Sequence, residues 1–400
     1  MEPKKLYFDV RDLFRAPRLA LSGKKIWILL EANLIGYLIY WVGSYLSLAI
    51  AGYSFSDMWA KYGLYPCLIG NEADWIAYII WGIGCLTWIV AIVLGYTAVS
   101  RVTYKQLKGD EFYSSKDAWQ FIKKHWHAPV FTSLSILLIV FFFVVMAVVF
   151  ALIGKIPFLG ELFFGIPYLL WLAGSVFVSY TMIVLCISGE FTPAIVGTME
   201  EDTMGAVFQN YTITWSQPWR ILLYVPIICT LMFLGVKIFS LFMKGGYYLI
   251  NIVFGHSVLM GDKLSNMVGW ATNVVFGPNS PLALCCGTGS CLVNAPVVVS
   301  DLGTFEMIGA FFVAVSIFLI FGTVISYFLS IEAVGMTLAF LILKKKSDDE
   351  NLLERKDEDE LGDEEELENE IDEIEQPEVE SEDNETEGGE NGTSEESDNN

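Results

Sequence analysis

The chain has 400 residues, 54% of them hydrophobic, and its mean hydropathy is +0.50. A soluble domain of this length does not reach such values, so the apolar residues are expected to face lipid. The formal net charge is −22, but residues 347–400 carry 27 acidic side chains against two basic ones. The first 346 residues therefore have a net charge of +3, which suits a position beside anionic lipid headgroups.

Residues 1–25 form a basic N-terminal segment. It has no short apolar run followed by a small-residue cleavage site, so no cleavable signal peptide is predicted and the first span serves as an uncleaved anchor. Apolar residues recur in it at helical spacing among basic ones, which predicts an amphipathic helix in the headgroup layer. We interpret this helix as a topology anchor rather than a sensor of anionic lipid. The apolar residues are Leu6, Val10, Leu13 and Phe14.

Six stretches within residues 26–343 are apolar over the roughly 20 residues that a helix needs to cross a bilayer. They predict an all-α fold, a polytopic transmembrane helical bundle of about six spans. The last stretch is too long for one upright span, so it must tilt, kink or protrude. The predicted spans are residues 26–53, 75–99, 128–154, 162–188, 219–243 and 307–343.

The distribution of basic residues predicts the orientation. With the N-terminus in the cytoplasm, 19 of the 24 Lys and Arg residues lie on the cytoplasmic side, as the positive-inside rule requires. Both termini are then cytoplasmic, and we expect the chain in a bacterial cytoplasmic (inner) membrane.

Two long segments lie outside the predicted spans. Residues 245–305 mix apolar runs with a Gly- and Pro-rich stretch, and we interpret them as an exoplasmic loop domain, with a re-entrant segment as the alternative. Residues 344–400 form an acidic, low-complexity cytoplasmic tail. Leu367, Ile371 and Ile374 lie at helical spacing within it, so part of the tail is either an amphipathic helix for a basic partner or simply solvated; the remainder has the composition of a disordered segment.

The segment between the fourth and fifth spans is polar enough to leave the bilayer. Thr192-Pro193 resembles a helix start, with a capping hydroxyl followed by proline. Further along come Ala206, Tyr211, Pro218, Trp219 and Arg220. With these residues the segment resembles a family of uncharacterised bacterial polytopic membrane proteins, over about residues 100–224, but it departs from the family pattern at Gly205, Gln209 and Asn210. The family carries no established chemistry, and the resemblance implies only an interfacial motif.

Four of the seven cysteines lie on the predicted exoplasmic side, where disulfides form. We expect one bridge within the cluster of Cys285, Cys286 and Cys291, and a second bridge from that cluster to Cys67. A metal site built from the same cysteines is the less favoured alternative.

Glu31 and Glu332 are the candidate ion or proton sites, because burying a carboxylate in lipid is costly and such residues are usually functional. Glu31 lies near the inner end of the first span. If the sixth helix crosses the bilayer over residues 318–343, Glu332 is near the midplane. If the helix instead crosses over residues 307–330, Glu332 is interfacial.

Signatures of enzymes and cofactors are missing from the sequence. It has no zinc-protease, nucleophile-elbow, P-loop or complete dinucleotide motif, and neither His125 nor His127 has a third metal ligand nearby. We therefore expect no catalytic residues, no cofactor and no metal.

Our leading expectation is a non-enzymatic scaffold or assembly factor that uses its cytoplasmic loops and acidic tail. The alternative is a transporter or channel with an intramembrane carboxylate, and a lipid-acting enzyme comes third. The expected partners are the lipid bilayer and a basic protein or cations at the tail, and no nucleic acid. Oligomeric state does not follow from the sequence.

Overall fold

The computed structural model describes residues 6–277 and 302–355. Throughout these residues the secondary structure is helical, without strands. The helices are α1 (Val10–Leu13), α2 (Ala16–Ala20), α3 (Gly23–Ile50), α4 (Phe55–Tyr62), α5 (Trp75–Lys108), α6 (Ser115–His125), α7 (His127–Ile153), α8 (Leu159–Gly165), α9 (Tyr168–Met199), α10 (Thr203–Ser216), α11 (Pro218–Phe254), α12 (Asp262–Val275) and α13 (Thr304–Asp348).

Six of these helices, α3, α5, α7, α9, α11 and α13, are long and apolar enough to cross a membrane. They coincide with the six predicted stretches, so the all-α class and the six apolar helices are confirmed. Helices α5, α11 and α13 extend beyond the predicted ends, whereas α9 begins at residue 168, after the predicted start at 162, and continues past the predicted end at 188. Helix α13 is 45 residues long. At about 1.5 Å per residue it is roughly twice as long as a bilayer core is thick.

The prediction that a helix begins at Thr192-Pro193 is wrong. Helix α9 continues through Pro193 to Met199, and both Thr192 and Pro193 are buried inside it. The Thr192 hydroxyl does not cap a helix; it accepts a hydrogen bond of 3.0 Å from the Asn210 side-chain amide. Proline is tolerated inside the helix because the neighbouring helices enclose this stretch.

The N-terminal segment forms two short helices, α1 and α2, in place of one helix. Leu13, Ala16 and Ala20 are fully buried, and both helices pack against α11 and α13. The Tyr327 hydroxyl of α13 donates to the Pro17 carbonyl at 3.1 Å. The apolar side of this segment is therefore covered largely by protein.

Helix α13 lies at the centre of the described structure. It packs against α2, α3, α5, α9, α11 and α12. Around it, α11 contacts α2, α3 contacts α5, and α5 contacts α9. Helices α9 and α11 both pack on α13, and α10 contacts all three of them.

The C-terminal half of α3 is bonded to the loop that follows α4. The Tyr40 hydroxyl donates to the Pro66 carbonyl at 2.5 Å, and the Tyr45 hydroxyl donates to the Gly63 carbonyl at 2.6 Å. Tyr65, in the loop itself, donates to the Val275 carbonyl at 3.1 Å. Burial raises the pKa of Tyr65 to about 12, so its hydroxyl keeps the proton that this bond needs.

The first residues of the acidic tail belong to the folded body. After α13, a 3₁₀ turn spans Leu352–Glu354, and both of its leucines are buried. The Tyr104 hydroxyl of α5 donates to the Leu352 carbonyl at 2.7 Å. The compact unit accordingly extends to Arg355. The predicted tail helix at Leu367, Ile371 and Ile374 lies outside the described residues.

Helices α5 and α9 approach most closely at Gly197. A Cβ atom there would lie 2.7 Å from the Ser100 Cβ atom and 3.0 Å from the Arg101 backbone nitrogen. Backbone atoms cannot move aside as a flexible side chain can, so this contact requires glycine.

We expect Gly197→Ala to lower the free energy of unfolding by about 1–3 kcal/mol, because overpacking forces a tightly packed interface apart. The matched control is Gly174→Ala on the same helix, where an added Cβ meets nothing within 4 Å. Thermal unfolding in detergent micelles measures the difference. Equal melting temperatures for the two variants would contradict the close approach at Gly197.

Candidate functional site

Glu332 lies on α13, partly buried, and its carboxyl group accepts a hydrogen bond from the Tyr96 hydroxyl of α5. The Glu190 carboxyl of α9 lies close to the carboxyl of Glu332. Two ionised carboxylates repel each other at short range, so their proximity favours a proton or another positive charge on the pair. The structure thus gives Glu332 a carboxyl partner that the sequence analysis did not identify.

The pair lacks a basic partner. In the part of the chain that the structure describes, no Lys or Arg side chain forms an ion pair with Glu190 or Glu332. The same residues also contain no group of three His, Cys, Asp or Glu side chains suited to a metal ion.

Helix α11 contributes a cysteine, Cys229, near the Glu190–Glu332 pair. Cys229 of α11 lies within electrostatic range of both carboxyl groups and is exposed. Its neighbour Ile228 packs against Gly335 of α13. Residues from α5, α9, α11 and α13 therefore meet around Glu332.

The pair lies near one end of the exposed apolar surface on three helices. The last large exposed apolar residues are Ile89 on α5, Ile183 on α9 and Ile325 on α13. Tyr96, Glu190 and Glu332 each follow seven residues later, about 10 Å further along the helix. On α11, by contrast, exposed apolar residues continue on both sides of Cys229, with Leu222 at 76% and Phe233 at 63% exposure.

The surroundings of the pair are partly exposed. Cys186, one turn away from Glu190 on α9, and Cys229 on α11 are both exposed, while Glu190 and Glu332 are themselves partly buried.

A second electrostatic contact lies further along α5 and α9. The Arg101 guanidinium is fully buried and forms an ion pair with Glu200, whose side chain is 8% exposed. The Phe121 ring of α6 lies 4.6 Å from the Arg101 guanidinium carbon. Each charge is neutralised inside the protein, so this contact has the character of a structural link rather than a binding site.

Glu31, the other carboxylate singled out in the sequence, lies elsewhere. Its carboxylate accepts a hydrogen bond of 3.1 Å from the Trp119 indole of α6. No contact in the described chain joins it to Glu332. The structure therefore separates the two residues that the sequence analysis grouped as ion-site candidates.

Cys67 lies in the loop before α5, partly buried, with a free thiol among the described residues. Its predicted partners Cys285, Cys286 and Cys291 lie outside the described residues, so the disulfide hypothesis stays a prediction.

The residues of the predicted interfacial motif occupy α10 and the start of α11. Ala206 is fully buried, and the Tyr211 hydroxyl donates to the Thr181 hydroxyl at 3.1 Å. Pro218 is the first residue of α11, Trp219 is exposed, and Arg220 donates to the Gln217 side chain at 2.6 Å. The motif thus joins α10 to α9 and α11 and contributes no group to the carboxyl pair.

Comparisons with protein-family models, with curated proteins and with solved structures find no match to this chain. The site must therefore be interpreted from its own chemistry.

Two residues of the site were not predicted from the sequence. Glu190 was missed because the predicted fourth span ended at residue 188. Tyr96 was missed because a tyrosine near the end of a span is common at membrane interfaces. The one available signal was that an acidic residue directly followed a predicted span.

We expect Glu200→Gln to lower the free energy of unfolding by about 3 kcal/mol or more, because it leaves the buried Arg101 charge without its counter-charge. Glu201→Gln is the control, since the Glu201 carboxylate forms no ion pair within the described chain. Thermal unfolding of the two purified variants measures the difference. A Glu200→Gln protein that melts like the control would show that the ion pair is not needed for the fold.

Proposed function

We propose that this chain is a membrane transporter or channel in which the Glu190–Glu332 pair binds and releases a proton or another small cation. The observation that carries the proposal is the contact between two carboxyl groups on neighbouring membrane-type helices without a basic partner. Such a pair holds one positive charge more readily than none or two, which is what an exchangeable cation site requires. Tyr96 orients the Glu332 carboxyl by donating a hydrogen bond to it.

The scaffold function is the second candidate, and one observation favours it. The residues that follow α13 are fastened to the body, since the Lys108 ammonium group donates to the Arg355 carbonyl at 2.7 Å and Leu353 is buried. This fixes the point at which the acidic segment, residues 356–400, leaves the folded unit. The segment then offers its negative charge to a basic protein or to cations.

Further proposals concern the membrane in which the protein lies and its orientation there. We place it in a bacterial inner membrane with both termini in the cytoplasm, because Lys and Arg concentrate on that side. Residues 245–305 are assigned to the exoplasmic side, where the disulfides of Cys67 with the 285–291 cluster would form. No enzymatic activity, cofactor or nucleic-acid partner is part of the proposal, and the resemblance to bacterial polytopic proteins adds no chemistry.

We expect Glu332→Gln to reduce proton flux at least about tenfold, which corresponds to losing about 1.4 kcal/mol or more of interaction, because the amide cannot exchange a proton. The measurement uses vesicles that contain the purified protein and a pH-sensitive dye, under an imposed proton gradient. Glu161→Gln, an exposed carboxylate on α8, is the control. Flux that is the same in wild type, Glu332→Gln and protein-free vesicles would contradict the proposal.

The scaffold candidate has its own test. We expect a chain that ends at Arg355 to fold normally, since the described body is complete there, and to lose every partner that depends on residues 356–400. Affinity purification from native membranes, with the bound proteins identified, compares this chain with the full-length protein. If the shortened chain and the full-length protein bind the same partners, the acidic tail does not recruit them and the scaffold candidate is contradicted.

A further inference from the structure

A pocket of about 700 Å³ lies between the N-terminal segment, the start of α11 and the end of α13. Ligand sites in proteins generally enclose roughly 300–1,000 Å³, so this space can hold a small polar group such as a lipid headgroup. Basic and acidic side chains both line it. The basic residues are Arg220, Lys345 and Lys346, and the acidic residues are Asp348 and Asp349.

The guanidinium of Arg220 is available to a ligand. It donates to the Gln217 side-chain oxygen at 2.6 Å, and no carboxylate of the described chain forms an ion pair with it. A guanidinium has several N–H donors in a fixed fork, which matches the oxygen atoms of a phosphate group. Within the described chain the positive charge of Arg220 therefore lacks an anion that a phosphate would supply.

The two lysines of the pocket are held by exposed ion pairs. Lys345 contacts the Asp349 carboxylate at 2.9 Å, and Lys346 contacts the Asp9 carboxylate at 3.0 Å. The side chain of Asp349 is 94% exposed. Exposed ion pairs contribute little to stability, so both pairs can open and exchange their partners for the opposite charges of a ligand.

An exposed apolar strip on α11 begins beside Arg220. Its members are Trp219, Leu222, Pro226 and Phe233, and their spacing places them along one side of the helix. An exposed tryptophan at the end of an apolar helix is typical of the membrane–water interface. The pocket is thus placed at the level of the lipid headgroups, with the strip facing the hydrocarbon chains of the same leaflet.

We propose that this pocket binds the headgroup of a zwitterionic aminophospholipid, of the phosphatidylethanolamine type. The phosphate lies against Arg220 and the lysines, the primary ammonium group lies against Asp349, and an acyl chain follows the apolar strip of α11. A headgroup that carries only negative charge would be repelled by the aspartates. A fully methylated ammonium group has no N–H to donate to them. Neither Glu190 nor Glu332 lines this pocket, so the lipid site is separate from the proposed cation site.

Two variants each remove one charge of the pocket. Arg220→Gln removes the group that binds the phosphate, and Asp349→Asn removes the carboxylate that binds the ammonium group. Asp349 has a φ of +56°, a conformation that asparagine adopts as readily as aspartate, so this change suits the backbone. Arg18→Gln is the matched control, because Arg18 is exposed on α2 and does not line the pocket.

The test uses the delipidated full-length protein in detergent, with native mass spectrometry to measure lipid binding over a range of lipid concentrations. We expect wild type to bind phosphatidylethanolamine several-fold more tightly than phosphatidylglycerol or phosphatidylcholine with the same acyl chains. Arg220→Gln should weaken the binding of phosphatidylethanolamine about tenfold, as expected for the loss of a charge-assisted hydrogen bond. Asp349→Asn should remove the preference over phosphatidylglycerol, and Arg18→Gln should match wild type.

Three outcomes would overturn the proposal. The first is wild-type protein that binds phosphatidylglycerol as tightly as phosphatidylethanolamine, since the aspartates would then play no part. The second is unchanged binding in both pocket variants. The third is displacement of the lipid by an equal concentration of glycerophosphoethanolamine, which would assign the pocket to a soluble ligand. Unfolding temperatures identify the folded variants, and Asp349→Asn decides the outcome if Arg220→Gln does not fold.

Discussion

The contact between α5 and α9 is the constraint on which the arrangement of the site depends. Gly197 lets the two backbones approach closely, and the Arg101–Glu200 ion pair joins the same helices a short distance away. Because helices rise by a fixed amount per residue, a register set at one end is carried along their whole length. Tyr96 and Glu190 are thereby both held within reach of Glu332 of α13.

Two carboxylates of α9 are neutralised in different ways. Glu200 has a permanent counter-charge in Arg101, so its ionisation is part of the fold. Glu190 lies close to another carboxyl group, so the two groups repel each other unless the pair takes up a proton or another positive charge. A buried ion pair such as Arg101–Glu200 is tolerated in a structure only while both charges are present. Two neighbouring carboxyl groups without a basic partner instead suit a site that binds and releases a cation.

Glycines on the helices around α13 differ in what they face. Helix α11 packs closely on α13, since a Cβ at Gly235 would lie 2.7 Å from the Ile331 side chain. Gly189 of α9, by contrast, faces open space. Glycine therefore marks a close helix contact at one position and an uncovered helix surface at the other.

The sequence by itself determined the six apolar helices and the separation of the acidic tail from the rest, because hydropathy and charge are summed along the chain and need no tertiary contact. It also identified Glu332. Only the tertiary structure decided that Glu190 and Tyr96 are its partners and that Glu31 is not. Such contacts join helices far apart in sequence, and the relative rotation and register of those helices follow from packing at positions such as Gly197, which one sequence does not reveal.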